Sequence, residues 1–241
     1  MKHIIITMFR YDDEDKFKKR LEVMKNTIVK SLYSQTNQNF TWVVMCRPQH
    51  REEISKIYKN NIILVNDSND FRKLNEEENF TIQTRHDSDD LMCPQYIQLI
   101  QDQYNLNKKL TEPFLIEFQP TLNQYSTNNF YEFRLDYKKM NSTSCFITLC
   151  PQGGDKTIWD HPHGKWVDNV KHIIRHPNRL CVSATVHGNN TTTGMTLAKG
   201  KIPPPFDING TQKKLSSTVI PDKGVKKPVD LLSVIRSVRR R

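Results

Sequence analysis

Long apolar runs are missing from this 241-residue chain; the longest unbroken one is Trp42–Cys46. A bilayer-crossing helix needs ~20 such residues, so none is expected. Paired cysteines are missing too. Cys46, Cys93, Cys145, Cys150 and Cys181 are odd in number and form no C-x-x-C, which argues against a disulfide framework and a thiolate zinc site and for reduced, mostly buried thiols. No P-loop or G-x-G-x-x-G stands before any helical pattern, and no helix-turn-helix, zinc-finger or ribonucleoprotein motif is visible. The apolar start, His3 to Phe9, is cut by Arg10 and by Asp12, Asp13, Glu14 and Asp15, so it reads as a buried strand and not as a leader; a cytoplasmic protein is the expectation.

Charge of one sign is what the chain has in excess: 36 Lys and Arg stand against 26 Asp and Glu, a net of +10. Such a surface invites an anionic partner: nucleic acid, an acidic membrane surface or a phosphorylated small molecule. Half of the excess lies in residues 222–241, which carry a net +5 and place Leu231, Val234, Ile235 and Val238 on one face of a short helical pattern. Two readings stay open for this tail. Its apolar face docks on the body as a frayed terminus, or its cations bring the protein to an anionic membrane surface or an acidic partner. The division expected is a folded domain over 1–205 and a basic extension over 206–241.

The first hundred residues alternate strand and helix patterns. His3–Phe9 is β-rich; Phe17, Leu21, Met24, Ile28 and Leu32 then recur at helical spacing; Phe40–Cys46 and Ile62–Val65 suit buried parallel strands, with a helical stretch from Arg51 to Tyr58 between them. Phe80–Arg85 continues the series, and Pro94 suits the first turn of a helix running towards Tyr104. A βαβ series of this kind predicts an α/β fold whose parallel strands bind ligand beyond their carboxyl ends. Phe114–Phe118, Phe130–Tyr137 and Cys145–Leu149 predict a smaller mixed or antiparallel part, with Pro151–Trp166 irregular.

Three carboxylates fall within four positions in Thr84-Arg85-His86-Asp87-Ser88-Asp89-Asp90. They repel one another, so placing them after a strand is costly unless a cation compensates. Mg²⁺ and Mn²⁺ suit such a site, since they take one or two protein carboxylates and complete their shell with phosphates and water. The alternative is an exposed acidic loop in which Asp89 or Asp90 caps the next helix.

These blocks, in this order, resemble the nucleotide-sugar glycosyltransferases of GT-A fold, and more narrowly the rhamnosyltransferase family. The resemblance is carried by Thr7-Met8-Phe9-Arg10, by Ser31-Leu32-Tyr33-Ser34-Gln35-Thr36 with Phe40-Thr41-Trp42-Val43-Val44-Met45, and by the Arg-x-Asp-x-Asp-Asp run from Arg85 to Asp90. The later blocks are Cys145–Leu149, Thr157-Ile158-Trp159 leading to His163, and Val186-His187-Gly188-Asn189, so that residues 1 to about 195 are covered. It implies a GT-A-like fold, with a Rossmann-like βαβ half, a mixed sheet and a smaller mixed or antiparallel carboxyl-terminal part. It implies a donor of nucleotide-diphosphate sugar, UDP or dTDP in type, a carbohydrate acceptor, and Mn²⁺ or Mg²⁺. Asp87 and Asp89 would hold the metal, Asp89 the more directly, with Asp87 facing metal or donor ribose; His163 would be the late metal-proximal histidine. Thr7, Phe9 and Arg10 would lie beside the nucleotide, Arg85 near the donor's phosphates or sugar, and Asp90 against the donor sugar or at the helix cap.

In Trp159-Asp160-His161-Pro162-His163-Gly164 the H-x-H spacing lacks a third zinc ligand, which leaves a hydrogen-bonded structural histidine or one completing the Asp87/Asp89 site. Inverting transfer needs a carboxylate to take the acceptor's proton. Where the family pattern carries an acid this chain has Cys150 and Pro151; Asp155 and Asp160 stand in the region where the base would lie, and Asp155 is the candidate taken. The function expected is metal-dependent transfer of a hexose or deoxyhexose, rhamnose included, to a glycan, without nucleic acid. The rivals are a Mg²⁺-dependent nuclease or nucleic-acid-binding protein working through its basic surface, and an inactive glycosyltransferase-like binding module.

Overall fold

Alternation of apolar helices and β-branched strands builds the amino-terminal half as a series of crossovers. The computed structural model describes residues 1–118, 121–124, 129–131, 145–153, 155–176, 181–186 and 201–202. Strand β1 (His3–Phe9) is followed by α1 (Glu14–Met24), a π turn over Lys25–Val29 and α2 (Lys30–Tyr33), which run on as one helix. Asp13 caps its start by accepting from the Lys16 N–H at 2.7 Å, and Phe17, Leu21, Met24, Ile28 and Leu32 are all buried, as their spacing predicts. Then come β2 (Thr41–Cys46), α3 (Arg51–Ile57), β3 (Ile62–Val65), α4 (Ser68–Glu78) and β4 (Ile82–Arg85). After β4 the chain forms β5 (Leu91–Met92), α5 (Tyr96–Asn107), β6 (Phe114–Phe118), β7 (Thr121–Gln124) and β8 (Asn129–Tyr131). The last described elements are β9 (Ile147–Cys150), a 3-10 turn over His163–Asp168, β10 (His172–His176), β11 (Val182–Val186) and β12 (Lys201–Ile202).

Seven strands form the main sheet in the order β10-β6-β9-β4-β1-β2-β3. Only β9 runs against its neighbours β4 and β6; the pairs β1–β2, β1–β4, β2–β3 and β6–β10 are parallel. A second sheet, β12-β8-β7-β11-β5, stands beside it. The expected parallel half and mixed remainder are therefore present. Helix α4 went unpredicted, although Asp67 caps its start and Asn79 ends it in the left-handed region at φ 51°.

Period-2 alternation divides the core. Ile5 and Phe9 face the long helix and α5, where Phe17, Leu21, Trp42, Tyr96, Ile97 and Ile100 pack; Ile4 and Ile6 face Phe71, Ile158 and Trp166 on the other side. Cys46, Cys93, Cys150 and Cys181 are buried and all five cysteines are free, in line with the thiols expected. Among the described residues no helix is long and apolar enough to cross a membrane. The segments 132–137, 187–189 and 203–205 and the extension 206–241 lie outside the described residues.

Candidate active site

Strands β1, β2 and β4 run the same way, so the loops that follow them meet at one edge of the sheet. Pairing of Ile6 with Arg85 sets Met8 level with the residues beyond β4, and Met8 is 46% exposed at that edge. The acidic loop starts here. His86 donates its backbone N–H to the Ile6 carbonyl at 3.0 Å, and the Asp90 N–H closes a turn on the Asp87 carbonyl at 3.3 Å. His86 is fully buried, and its Nδ1 lies 3.1 Å from the Asp87 carbonyl, which can only accept; Nδ1 therefore carries the proton. Burial, opposed by that bond and by Asp89, holds its imidazole down to about 4.

Within this loop the carboxylates differ. Asp89 is nearly enclosed, and its Oδ2 lies 3.2 Å from Arg20 Nη2, the two side chains being 11% and 12% exposed. Asp87 keeps 42% of its side chain open, with Arg85 Nε 3.8 Å from its Oδ1. Burial raises the Asp87 carboxyl above the ordinary range against the pull of Arg85, and Asp89 adds to the rise. Across from it, His163 stands at the head of its 3-10 turn, where burial and then Arg85 lower its imidazole while Asp87 opposes them. Arg85 itself lies over the Trp159 indole, 4.5 Å from the ring centroid. Asp87 thus lies within electrostatic reach of Arg85, Asp89 and His163. Asp90 is buried beside them, and the start of α5 has Gln95 as its cap residue with no side-chain bond, so neither Asp89 nor Asp90 caps that helix.

Three expected positions fall elsewhere. Thr7 and Phe9 are fully buried on the helix side of β1; Thr7 Oγ1 accepts from the Trp42 indole N–H at 3.0 Å and Phe9 packs edge-on against Phe17, so neither side chain reaches a ligand. Arg10 is exposed at the same edge as the loop. Asp155 is corrected by topology. Because β9 is antiparallel, it delivers Pro151–Asp155 to the end where β4 and β6 begin, while Asp87 leaves the end where β4 finishes. Asp160 is a turn acid, accepting from the Thr157 N–H at 2.8 Å and paired with Arg72 at 2.9 Å.

Two residues that the sequence reading gave no site role contact these side chains. Arg20 reads as one more cation among Lys16, Lys18 and Lys19, yet it bridges Asp89 and Tyr11, whose hydroxyl accepts from Arg20 Nε at 3.0 Å. Trp159 forms the floor beneath Arg85, and its Nε1 has no hydrogen-bond partner among the described residues.

A mixed sheet with one antiparallel strand, carrying an acidic loop beyond its fourth strand, is GT-A-like in fold. The chain belongs to the family described as "Putative rhamnosyl transferase", whose profile matches residues 6–199. No curated protein matches it. Among solved structures, TarS of S. aureus, residues 1–349, in complex with UDP-GlcNAc is similar in fold with a TM-score of 0.52 at 10% identity, over 79% of this chain and 60% of that one. A second structure of TarS 1–349 gives a TM-score of 0.50 at 11% identity, over 77% and 60%. The chain thus spans about 60% of the length of these TarS structures.

Proposed function

We propose that the cleft beyond β1, β2 and β4 binds a nucleotide-diphosphate sugar with Mn²⁺ or Mg²⁺ and transfers a hexose or deoxyhexose, rhamnose in the family's sense, to a carbohydrate acceptor. The observation that carries this is the Asp87 carboxylate, 42% exposed and within electrostatic reach of Arg85 and His163. The donor set suits a hard cation: adjacent carboxylates raise one another's proton affinity, which is the condition a divalent ion relieves. Among the described residues no three His, Cys, Asp or Glu side chains converge to hold a metal unaided. Mg²⁺ and Mn²⁺ sites in nucleotide enzymes do not require that, since one or two carboxylates and the substrate's phosphates complete them.

Asp87, Asp89 and His163 are the groups that would hold the ion, and its chemistry there would be to neutralise charge building on the departing nucleoside diphosphate. The Arg85 guanidinium, backed by Trp159, faces the same charge as a fixed cation. A UDP-type donor is supported by the TarS complex of like fold, which holds UDP-GlcNAc. The basic extension 206–241 would bring the protein to an anionic surface near its acceptor, and the net +5 of residues 222–241 supports that role.

Calorimetry with UDP, dTDP and their sugars, with and without Mn²⁺, tests the proposal. Metal-dependent binding of one nucleotide series is the expected result. Binding of DNA or RNA with a steep salt dependence, and of no nucleotide, would overturn it in favour of the nucleic-acid alternative.

A further inference from the structure

Cys93 and Cys181 face each other at the edge of the second sheet. Strands β5 and β11 are antiparallel, with Met92 opposite Val182 and Leu91 opposite Ser183, and the same register carried one residue further sets Cys93 opposite Cys181. The Cys93 N–H donates to the Cys181 carbonyl at 2.7 Å, which fixes that pairing, and the two thiols are hydrogen bonded to each other. Side chains directly opposite in an antiparallel pair stand about 4.5–5.5 Å apart at Cβ, close to the ~3.5–4.5 Å that a disulfide takes. The two sulfurs differ in chemistry. The Cys181 thiol donates to the Cys93 sulfur, and the backbone N–H groups of Gln95 and Tyr96 at the start of α5 point to the same atom; together they lower the Cys93 thiol against the opposing effect of burial. Cys181, the donor in that contact and itself buried, is raised. A third cysteine is near, since Cys93, Cys181 and Cys145 all lie within electrostatic reach of the Tyr96 hydroxyl.

We propose that Cys93 and Cys181 form a reversible disulfide, with hydrogen peroxide as the oxidant, that staples the segment leaving the acidic loop to β11. The proposal does not depend on the donor-binding function above. The Cys93 thiolate attacks one peroxide oxygen; the O–O bond breaks, the departing hydroxide takes the proton that Cys93 gave up and leaves as water, and a sulfenic acid remains on Cys93. The Cys181 sulfur then attacks the Cys93 sulfur; the S–O bond breaks, and the hydroxide leaves as water with the Cys181 proton. Two thiols and one peroxide give one disulfide and two waters, the thiols losing the two electrons that the peroxide gains. Both sulfurs are buried, but β5 is a two-residue edge strand, and opening of its short ladder admits a small oxidant. The staple acts on the acidic loop because Asp90 leads through β5 straight into Cys93. In the reduced chain that stretch is held by hydrogen bonds to the long helix: Thr27 Oγ1 donates to the Ser88 carbonyl at 3.1 Å, Ser31 Oγ accepts from the Met92 N–H at 3.2 Å, and Gln35 donates to the Cys93 carbonyl at 2.9 Å. A covalent link to β11 adds a restraint that does not open with them.

The test treats the folded full chain with a small molar excess of hydrogen peroxide, then counts free thiols and maps cross-linked peptides by mass spectrometry. Free thiols should fall from five to three, with one cross-link joining the peptides of Cys93 and Cys181, and dithiothreitol should restore all five. Cys93→Ala and Cys181→Ala should form no cross-link, whereas Cys145→Ala should lose two thiols as the wild type does. Amide hydrogen exchange over residues 89–93 and 182–184 should slow about tenfold in the oxidised wild type and recover on reduction. The wild-type cross-link and its reversal can be read whether or not the alanine variants fold. The inference is overturned if the cross-link forms only in urea, if it joins Cys145 to either partner, if Cys93 passes to sulfinic acid without a cross-link, or if the cross-linked chain exchanges as the reduced one does.

Discussion

The guanidinium of Arg85 lies 4.5 Å from the centroid of the Trp159 indole, which joins the last residue of β4 to the returning segment after β9. An arginine held over an aromatic face is pre-aimed, and Trp gives the strongest such contact, worth about 1 kcal/mol at a partly exposed site. Trp159 also packs against the core on the Ile158 and Trp166 side of the sheet. Trp159→Ala should therefore cost ~2–3 kcal/mol in urea unfolding, from lost burial and cavity formation, and weaken nucleotide-sugar binding about tenfold by releasing Arg85. Trp159→Phe should keep binding within about threefold of wild type, since a face remains beneath the cation. Unchanged binding in Trp159→Ala would remove Arg85 and its platform from the donor site.

How much of this was visible beforehand follows from the range of each signal. Phe17, Leu21, Met24, Ile28 and Leu32 announce the long helix because burial repeats with its own period, and β1 is bounded by the change from Phe9 to charged residues. Alternation along β1 also implies that Thr7 and Phe9 share the face of Ile5, so the exposed residue near the end of the strand is Met8. Helix α4 is harder to read because few apolar residues mark it; Phe71 is buried and Leu74 partly so, amid charge. The two-residue β5 has no period at all. Asp155 was misplaced because the direction of β9 is set by its partners β4 and β6, which no local pattern encodes. Arg20 is equally mute in sequence, since its partner Asp89 lies beyond three further strands.

Gln83 fastens the same returning segment from within. Fully buried, it donates to Asn75 Oδ1 at 2.9 Å and accepts from the Ile158 N–H at 2.9 Å, tying α4 and the Thr157–Trp159 run to β4. Gln83→Leu fills the space but leaves an amide N–H and a carbonyl oxygen in the core without partners, at ~1–3 kcal/mol each. Urea unfolding should show a loss of roughly 3 kcal/mol, and His163, five residues beyond Ile158, should become more reactive towards diethyl pyrocarbonate. A loss under about 1 kcal/mol would mean that water replaces both bonds.

Thr27 offers a milder case. Its hydroxyl lies 2.8 Å from the Val23 carbonyl and 3.1 Å from that of Ser88, with the residue buried in the π turn. Thr27→Val keeps the shape and removes the donor, so stability should fall by ~1 kcal/mol and the Asp90 and Leu91 amides should exchange faster. Thr27→Ser, retaining the hydroxyl, should restore the slow exchange. A Val variant with wild-type exchange would show that the contact does not hold the loop.

His3 carries a pH dependence whose sign follows from its surroundings. It is buried at the start of β1, with Gln101 Nε2 3.3 Å from its Nδ1 and Thr84 Oγ1 2.8 Å from its Nε2. Gln101 is held in that orientation because its Nε2 also donates to the Asn39 carbonyl at 2.9 Å and its Oε1 accepts from Asn37 at 3.1 Å. A donor therefore faces Nδ1, and the imidazole is neutral with its proton on Nε2. Burial lowers the folded-state value from 6.5 to about 3. Between those values the unfolded chain binds a proton that the native chain refuses, so stability rises with pH and is lost as pH falls below 6.5. The contribution approaches about 1.4 kcal/mol per pH unit, or ~2 kcal/mol between pH 6.5 and 5. Urea midpoints of wild type and His3→Gln, taken at pH 7, 6 and 5, isolate it, because every other histidine is common to both proteins. The wild type should lose stability more steeply over that range, and parallel slopes would show that His3 takes up its proton in the folded state.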